Sequence, residues 1–162
     1  STFLKLNNRI KYVISDIAPQ IFFSEYFLRN IGYKVYGYED VIREENIDLN
    51  KIFNDFDVVC IPTWKLDNLD DFNFNLFINV ASFQEMEKEQ ALNYLSILKK
   101  KISKYIFSSN LIEGHQKTEH KNSFGVLRPV TLKIIEDDLQ NDFLIKKRFL
   151  NDGYYKAIFE KK

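Results

Sequence analysis

The chain is poor in the residues that usually announce a chemistry. Cys60 is its only cysteine, so no intrachain disulfide can form, which suits a reducing cytoplasm. Cys60 lies inside an apolar run, where a thiol packs rather than attacks. Glycine occurs five times, at Gly32, Gly37, Gly114, Gly125 and Gly153. None of these builds a G-x-G turn between an early strand and a helix. The sequence has no P-loop, no Cys-x-x-Cys pair and no Ser-His-Asp order. No stretch approaches the roughly 20 apolar residues of a membrane span. The opening Ser-Thr-Phe-Leu-Lys lacks the apolar core of a signal peptide. Basic and acidic residues number 23 each. With no net charge, the chain has no global field drawing it to nucleic acid or an anionic membrane. The Lys99–Lys101 and Lys146–Arg148 runs read as solvated faces.

What is present suits a folded protein. The 162 residues are 45% hydrophobic and 15% aromatic, enough for one domain, 1–162, with a real core. The abundance of Asn, Lys, Ile and Phe points to a low-GC bacterial gene. Lys11 to Ser15 reads as a strand ending at Asp16, and Pro19 suits the first turn of a helix. Apolar residues continue at helical spacing to Gly32, a stop signal. Tyr33 to Tyr38 alternates as a short strand, and Val41 to Phe53 is amphipathic and partly helical. Asp57 to Pro62 is a buried strand stopped by its proline, and Asn75 to Ala81 is another. Phe83 to Ile102 carries a stripe of Met86, Ala91, Leu92, Leu95, Leu98 and Ile102, the strongest helix signal in the chain. Lys104 to Ser108 reads as a strand. Ile112 to Phe124 is a long polar loop of the kind that acts as a lid or binding loop. After a helix over Val130 to Leu139, Asn151-Asp152-Gly153 joins two strands in an antiparallel hairpin. Alternating strands and helices argue for a parallel α/β sheet, closed by that hairpin. A flavodoxin-like domain fits the first four strands equally well.

Polar residues at strand ends are the candidate site. Ligands in such sheets sit beyond the carboxyl ends of strands. Asn79 interrupts the apolar run Leu76 to Ala81, and if buried its amide needs partners. Ser82 stands three residues before Glu85, the spacing of a capping box. Asp16 suits a helix cap as well as a ligand contact. Trp64 offers a flat apolar face and one donor, and equally suits a core position. His115 and His120 lie five apart on the long loop. A zinc site with Glu113 or Glu119 lacks a supporting cysteine, so the reading of the sequence assigns no metal.

The stretch Leu-Phe-Ile-Asn-Val-Ala-Ser-Phe-Gln-Glu-Met (76–86), with Ala-Leu-Asn-Tyr-Leu-Ser-Ile-Leu after it, resembles the sugar O-methyltransferases. These are class I S-adenosylmethionine-dependent methyltransferases. The resemblance extends upstream through Asp-Val-Val-Cys-Ile-Pro-Thr-Trp-Lys-Leu and Tyr-Val-Ile-Ser-Asp-Ile-Ala-Pro-Gln, covering roughly residues 4–110. It implies a Rossmann-like methyltransferase sheet, mostly parallel with a C-terminal antiparallel hairpin, and S-adenosylmethionine as cofactor. By resemblance Asp16 accepts from the ribose hydroxyls, and Thr63, Trp64 and Asp67 face the adenine. Asn79 and Ser82 complete the cofactor-binding set. Glu85 and His115 are then candidate catalytic residues, since methylation of a hydroxyl needs a proton acceptor and His suits that task. The expected acceptor is a sugar or glycan hydroxyl in surface-glycan synthesis.

A complete domain of that family begins with a strand and a glycine-rich turn. Neither is found here, and Ser1 to Leu6 resembles the tail of the helix that follows them. The expectation is that the chain is the C-terminal portion of a methyltransferase domain whose first strand lies upstream. Loss of that strand leaves sheet edges unpaired. The alternative is a noncatalytic interaction module that pairs an open edge with a partner or a second copy.

Overall fold

The structure, a computed structural model, describes residues 10–120, 124–151 and 153–162. The expected helix tail at Ser1 to Leu6 lies outside the described residues. The chain divides into two compact units, Ser1–Phe72 and Asn73–Lys162.

The first unit is a parallel sheet with helices. Strands β1 (Tyr12–Asp16), β2 (Val35–Tyr36) and β3 (Val58–Pro62) pair in the order β1-β3-β2. All five residues of β3 are buried, as a central parallel strand requires. Helix α1 (Gln20–Asn30) follows β1, and Ile21 and Leu28 are its buried residues. It ends as expected at Gly32, which takes φ +93°, a left-handed value that glycine adopts at no steric cost. Ile21, Leu28, Val35, Val58 and Cys60 form the core. Burial pushes the Cys60 thiol up to about 12, so it stays protonated and packs as a small apolar side chain. The amphipathic stretch resolves into two short helices, α2 (Tyr38–Arg43) and α3 (Leu49–Ile52). Asp48 caps α3 by accepting the Lys51 N–H at 3.1 Å.

The second unit carries the hairpin. Strands β4 (Phe74–Val80), β5 (Ile102–Leu111), β6 (Phe143–Asn151) and β7 (Tyr154–Lys161) pair in the order β4-β5-β7-β6, with helices α4 (Lys88–Lys101) and α5 (Leu132–Leu139). β4 and β5 run parallel, while β5–β7 and β6–β7 are antiparallel. The hairpin falls where the turn signal places it, with Gly153 at φ +78°; Asp152 lies outside the described residues. Of the expected stripe, Ala91, Leu95 and Leu98 are buried in α4 and pack with Ile106, Ile135, Leu139, Phe143 and Phe159, Leu92 is partly buried, and Met86 and Ile102 join the same core from outside the helix.

Several boundaries differ from the sequence reading: the Tyr33 to Tyr38 strand narrows to Val35–Tyr36, the Val130 to Leu139 helix starts at Leu132, and two differences are larger. Helix α4 starts at Lys88, not Phe83, because Phe83–Glu85 forms a separate 3-10 turn. The Ser82–Glu85 capping box is therefore not formed. Gln90, three residues after Glu87, instead accepts the Glu87 N–H at 3.2 Å. Strand β5 is also longer than expected: it starts at Ile102, where α4 ends, and runs to Leu111.

The two outer strands of this second sheet contrast sharply. β6 carries Lys146, Lys147 and Arg148, whereas β4 reads Phe-Asn-Leu-Phe-Ile-Asn-Val with no charge in seven residues. Charged side chains are a common way of blocking a sheet edge against further pairing.

Candidate functional site

In the first unit the candidate side chains stand at the carboxyl ends of neighbouring parallel strands. The β1–β3 register sets Asp16 against Pro62. Asp16 does not cap α1, whose N-cap is Pro19 and lacks a side-chain bond. Its Oδ1 accepts the Ile17 N–H at 2.8 Å, a local bond that steadies the carboxylate and leaves Oδ2 for another donor. Past Pro62, a 3-10 helix over Thr63–Asn68 carries Thr63, Trp64 and Asp67. Trp64 is 55% exposed, so it is no core side chain. Its ring meets Tyr38 edge-on at 6.1 Å, and Tyr38 lies 4.6 Å from Phe22. These contacts hold the indole on one side while much of it stays open. Asp67 is exposed on the same turn.

In the second unit the strand ends are closed by their own hydrogen bonds. Asn79 is 4% exposed. Its Nδ2 donates to Ser82 Oγ, and its Oδ1 accepts from Asn110 Nδ2 at 2.9 Å. Asn110 also donates to Ser108 Oγ at 2.9 Å and accepts the Gln84 N–H at 3.3 Å. Gln84 in turn accepts the Leu111 N–H at 2.7 Å and donates to Glu85 Oε1 at 3.2 Å. Every partnership is the kind a buried amide requires. Between β4 and the 3-10 turn, Ala81 has φ +62°, an unusual conformation for a residue with a Cβ.

The network surfaces at Glu85. Its Oε2 lies 3.5 Å from His115 Nε2, and the His115 ring meets Phe124 edge-on at 5.0 Å. The structure thus brings together the two candidate catalytic residues, 30 positions apart in sequence. His120, by contrast, is exposed and, among the described residues, bonded only through its backbone, to Thr118. The loop bearing His115 is tied at its far end. Glu87 accepts the N–H groups of Leu127 at 2.7 Å and Arg128 at 3.0 Å. Thr118 and Gln116 exchange backbone bonds with Val126. Next to Val126, Gly125 takes φ +111°, and a Cβ there would strike the Gln116 carbonyl oxygen. Among the described residues no three of His, Cys, Asp and Glu gather as a metal site.

Sequence reasoning singled out neither Gln84 nor Asn110. Asn110 had a readable signal: it is a polar residue at the end of a strand, the feature that marked Asn79.

Solved structures place this fold. The chain superposes on the mitomycin 7-O-methyltransferase MmcR with a TM-score of 0.60 at 6% identity, over 98% of this chain and 44% of that one. An O-methyltransferase family 2 protein from Planctomyces limnophilus, in complex with apigenin, gives 0.60 at 7% identity over 98% and 45%. The magnesium protoporphyrin IX methyltransferase ChlM from Synechocystis, with bound S-adenosylmethionine, gives 0.52 at 15% identity over 93% and 58%. The chain thus spans about half the length of these methyltransferases, and its fold is their Rossmann-like one. No family model and no curated protein matches the sequence.

Proposed function

We propose that this chain is the C-terminal portion of a bacterial, cytoplasmic class I O-methyltransferase domain that binds S-adenosylmethionine and methylates a sugar hydroxyl in surface-glycan synthesis. The observation that carries this reading is the pairing of Asp16 and Trp64 at the ends of adjacent parallel strands, each with a face open to a ligand. Methyltransferases of the same fold, one of them with S-adenosylmethionine bound, support it.

The side chains suit the cofactor's chemistry. A carboxylate accepts from two vicinal ribose hydroxyls, which is the role of Asp16. Trp64 stacks the adenine, Asp67 accepts from its amino group, and Thr63 lines the same turn. Asn79 and Ser82 hold the end of β4. When bound, S-adenosylmethionine supplies a methyl group already activated on a sulfonium, so no protein nucleophile is needed. Glu85 orients His115 by facing its Nε2, and the other ring nitrogen, Nδ1, takes the proton of the acceptor hydroxyl as the oxygen attacks. The rest of the rate comes from alignment.

The uncharged β4 edge fits this reading. An unguarded edge is a hazard in a finished protein, and a further strand from a longer version of the chain would cover it. Calorimetric titration of S-adenosylhomocysteine into this chain and into an upstream-extended version tests the proposal. Micromolar binding that Asp16→Ala weakens roughly 10- to 100-fold supports it, and no binding to either version refutes it.

A second reading, an interaction module that pairs with its own copy, draws on the same strand. Phe-Asn-Leu-Phe-Ile-Asn-Val has the same apolar and Asn pattern in both directions about Phe77. An antiparallel pair of copies would set Asn75 opposite Asn79. This reading expects a dimer that Leu76→Lys dissociates in sedimentation velocity, with no cofactor binding.

A further inference from the structure

We propose that Gln84 is a positioning residue: its buried amide aims the Glu85 carboxylate at His115. The inference rests on the reading of Glu85 and His115 as a proton-accepting pair.

Glu85 is exposed, its side chain open by 54%. An exposed carboxylate 3.5 Å from an imidazole holds its partner weakly, because water screens the attraction and side-chain freedom opposes it. Contact with His115 alone does not fix the rotamer. Gln84 does, because it is itself immobile. It is 4% exposed, its carbonyl accepts the Leu111 N–H at 2.7 Å, and its backbone N–H is held by Asn110. With the carbonyl spent on β5, the amide NH2 is directed to Glu85 Oε1 at 3.2 Å. One carboxylate oxygen is thereby tethered, and the other is left facing His115 Nε2. Order passes from a buried strand end, through Asn110 and Gln84, to a side chain in water.

The test is the nitrogen resonances of the two histidine rings in the isotope-labelled chain. His120, exposed and without side-chain bonds among the described residues, is the internal standard. Glu85→Gln should move the His115 ring resonances toward those of His120. Gln84→Met, which keeps the side chain's length without its amide, should move them to the same place, while His120 stays put. Gln84→Asn guards against misfolding: it keeps a buried amide but draws it back by one bond, roughly 1.5 Å, out of reach of Glu85. It should reproduce the Met result. His115 resonances unchanged in both Gln84 variants, yet moved by Glu85→Gln, would overturn the role of Gln84 and leave the pair intact. If Glu85→Gln itself leaves His115 unmoved, the pair on which the inference rests is wrong.

Discussion

The two units end their parallel strands in opposite ways. In the first, β1 and β3 finish in side chains that face outward: Asp16 makes one local bond, and Trp64 is 55% exposed. In the second, β4 and β5 finish in amides turned on one another, Asn79 to Asn110 and Asn110 to Gln84. Both are polar endings to apolar strands, and composition does not separate them. The difference lies in who satisfies the polar groups. Where protein satisfies them, the residues build stability and geometry. Where they are left open, they are free for a ligand. On the proposed reading the first unit binds and the second positions, its network reaching water at Glu85 and His115.

The sharpest way to break this contrast is Asn110→Leu. The change strips partners from the Gln84 N–H, from Asn79 Oδ1 and from Ser108. Leaving buried polar groups unpaired costs on the order of 1–3 kcal/mol each before relaxation, so the expected loss is about 3 kcal/mol in urea denaturation. Trp64→Ala should cost less than about 1 kcal/mol in the same assay, as surface substitutions do. If the two variants lose equal stability, the distinction between closed and open strand ends fails.

Binding should show the reverse order. Asp16→Ala removes a charged acceptor, and hydrogen bonds to charged groups contribute about 1.5–3 kcal/mol. S-adenosylhomocysteine affinity should therefore fall roughly 10- to 100-fold with thermal stability kept. Trp64→Ala should weaken it by about tenfold at most, since an aromatic stack adds about 0.5–1.5 kcal/mol beyond buried area. An Asp16 variant that binds normally would remove the ribose role.

Much of this architecture was legible, and the failures have a common cause. β3 announced itself because a buried parallel strand is apolar throughout, and Gly32 and Gly153 marked real stops because both positions have positive φ. The α4 stripe identified its buried face. Its start was misplaced because Ser82 and Glu85 have the right types and spacing for a box, while the chain between them is a single 3-10 turn. Spacing cannot distinguish a turn that continues from one that stops. The Asn79–Asn110 and Gln84–Leu111 bonds were invisible for a different reason. They join residues about 30 apart whose pairing is set by the β4–β5 register, and no local pattern encodes that register.

Ser82 separates the two readings of that turn. Were Ser82 the cap of a helix starting at Phe83, Ser82→Ala would unpair the N–H of Glu85, three residues on, and Phe83 to Glu85 would exchange hydrogen faster. In the structure Ser82 Oγ instead accepts from Asn79 Nδ2, and Gln90 holds the helix entry through Glu87. Ser82→Ala should therefore cost about 1 kcal/mol and leave exchange at Phe83 to Glu85 unchanged, since the Glu85 N–H bonds the Ser82 backbone carbonyl, with the loss felt at Asn79. Gln90→Ala should do the opposite, releasing the Glu87 N–H while Asn79 keeps its partners. Hydrogen-exchange mass spectrometry of the two variants reads both segments at once. Faster exchange at Phe83 to Glu85 in Ser82→Ala would restore the capping role and detach Ser82 from the network that ends at His115.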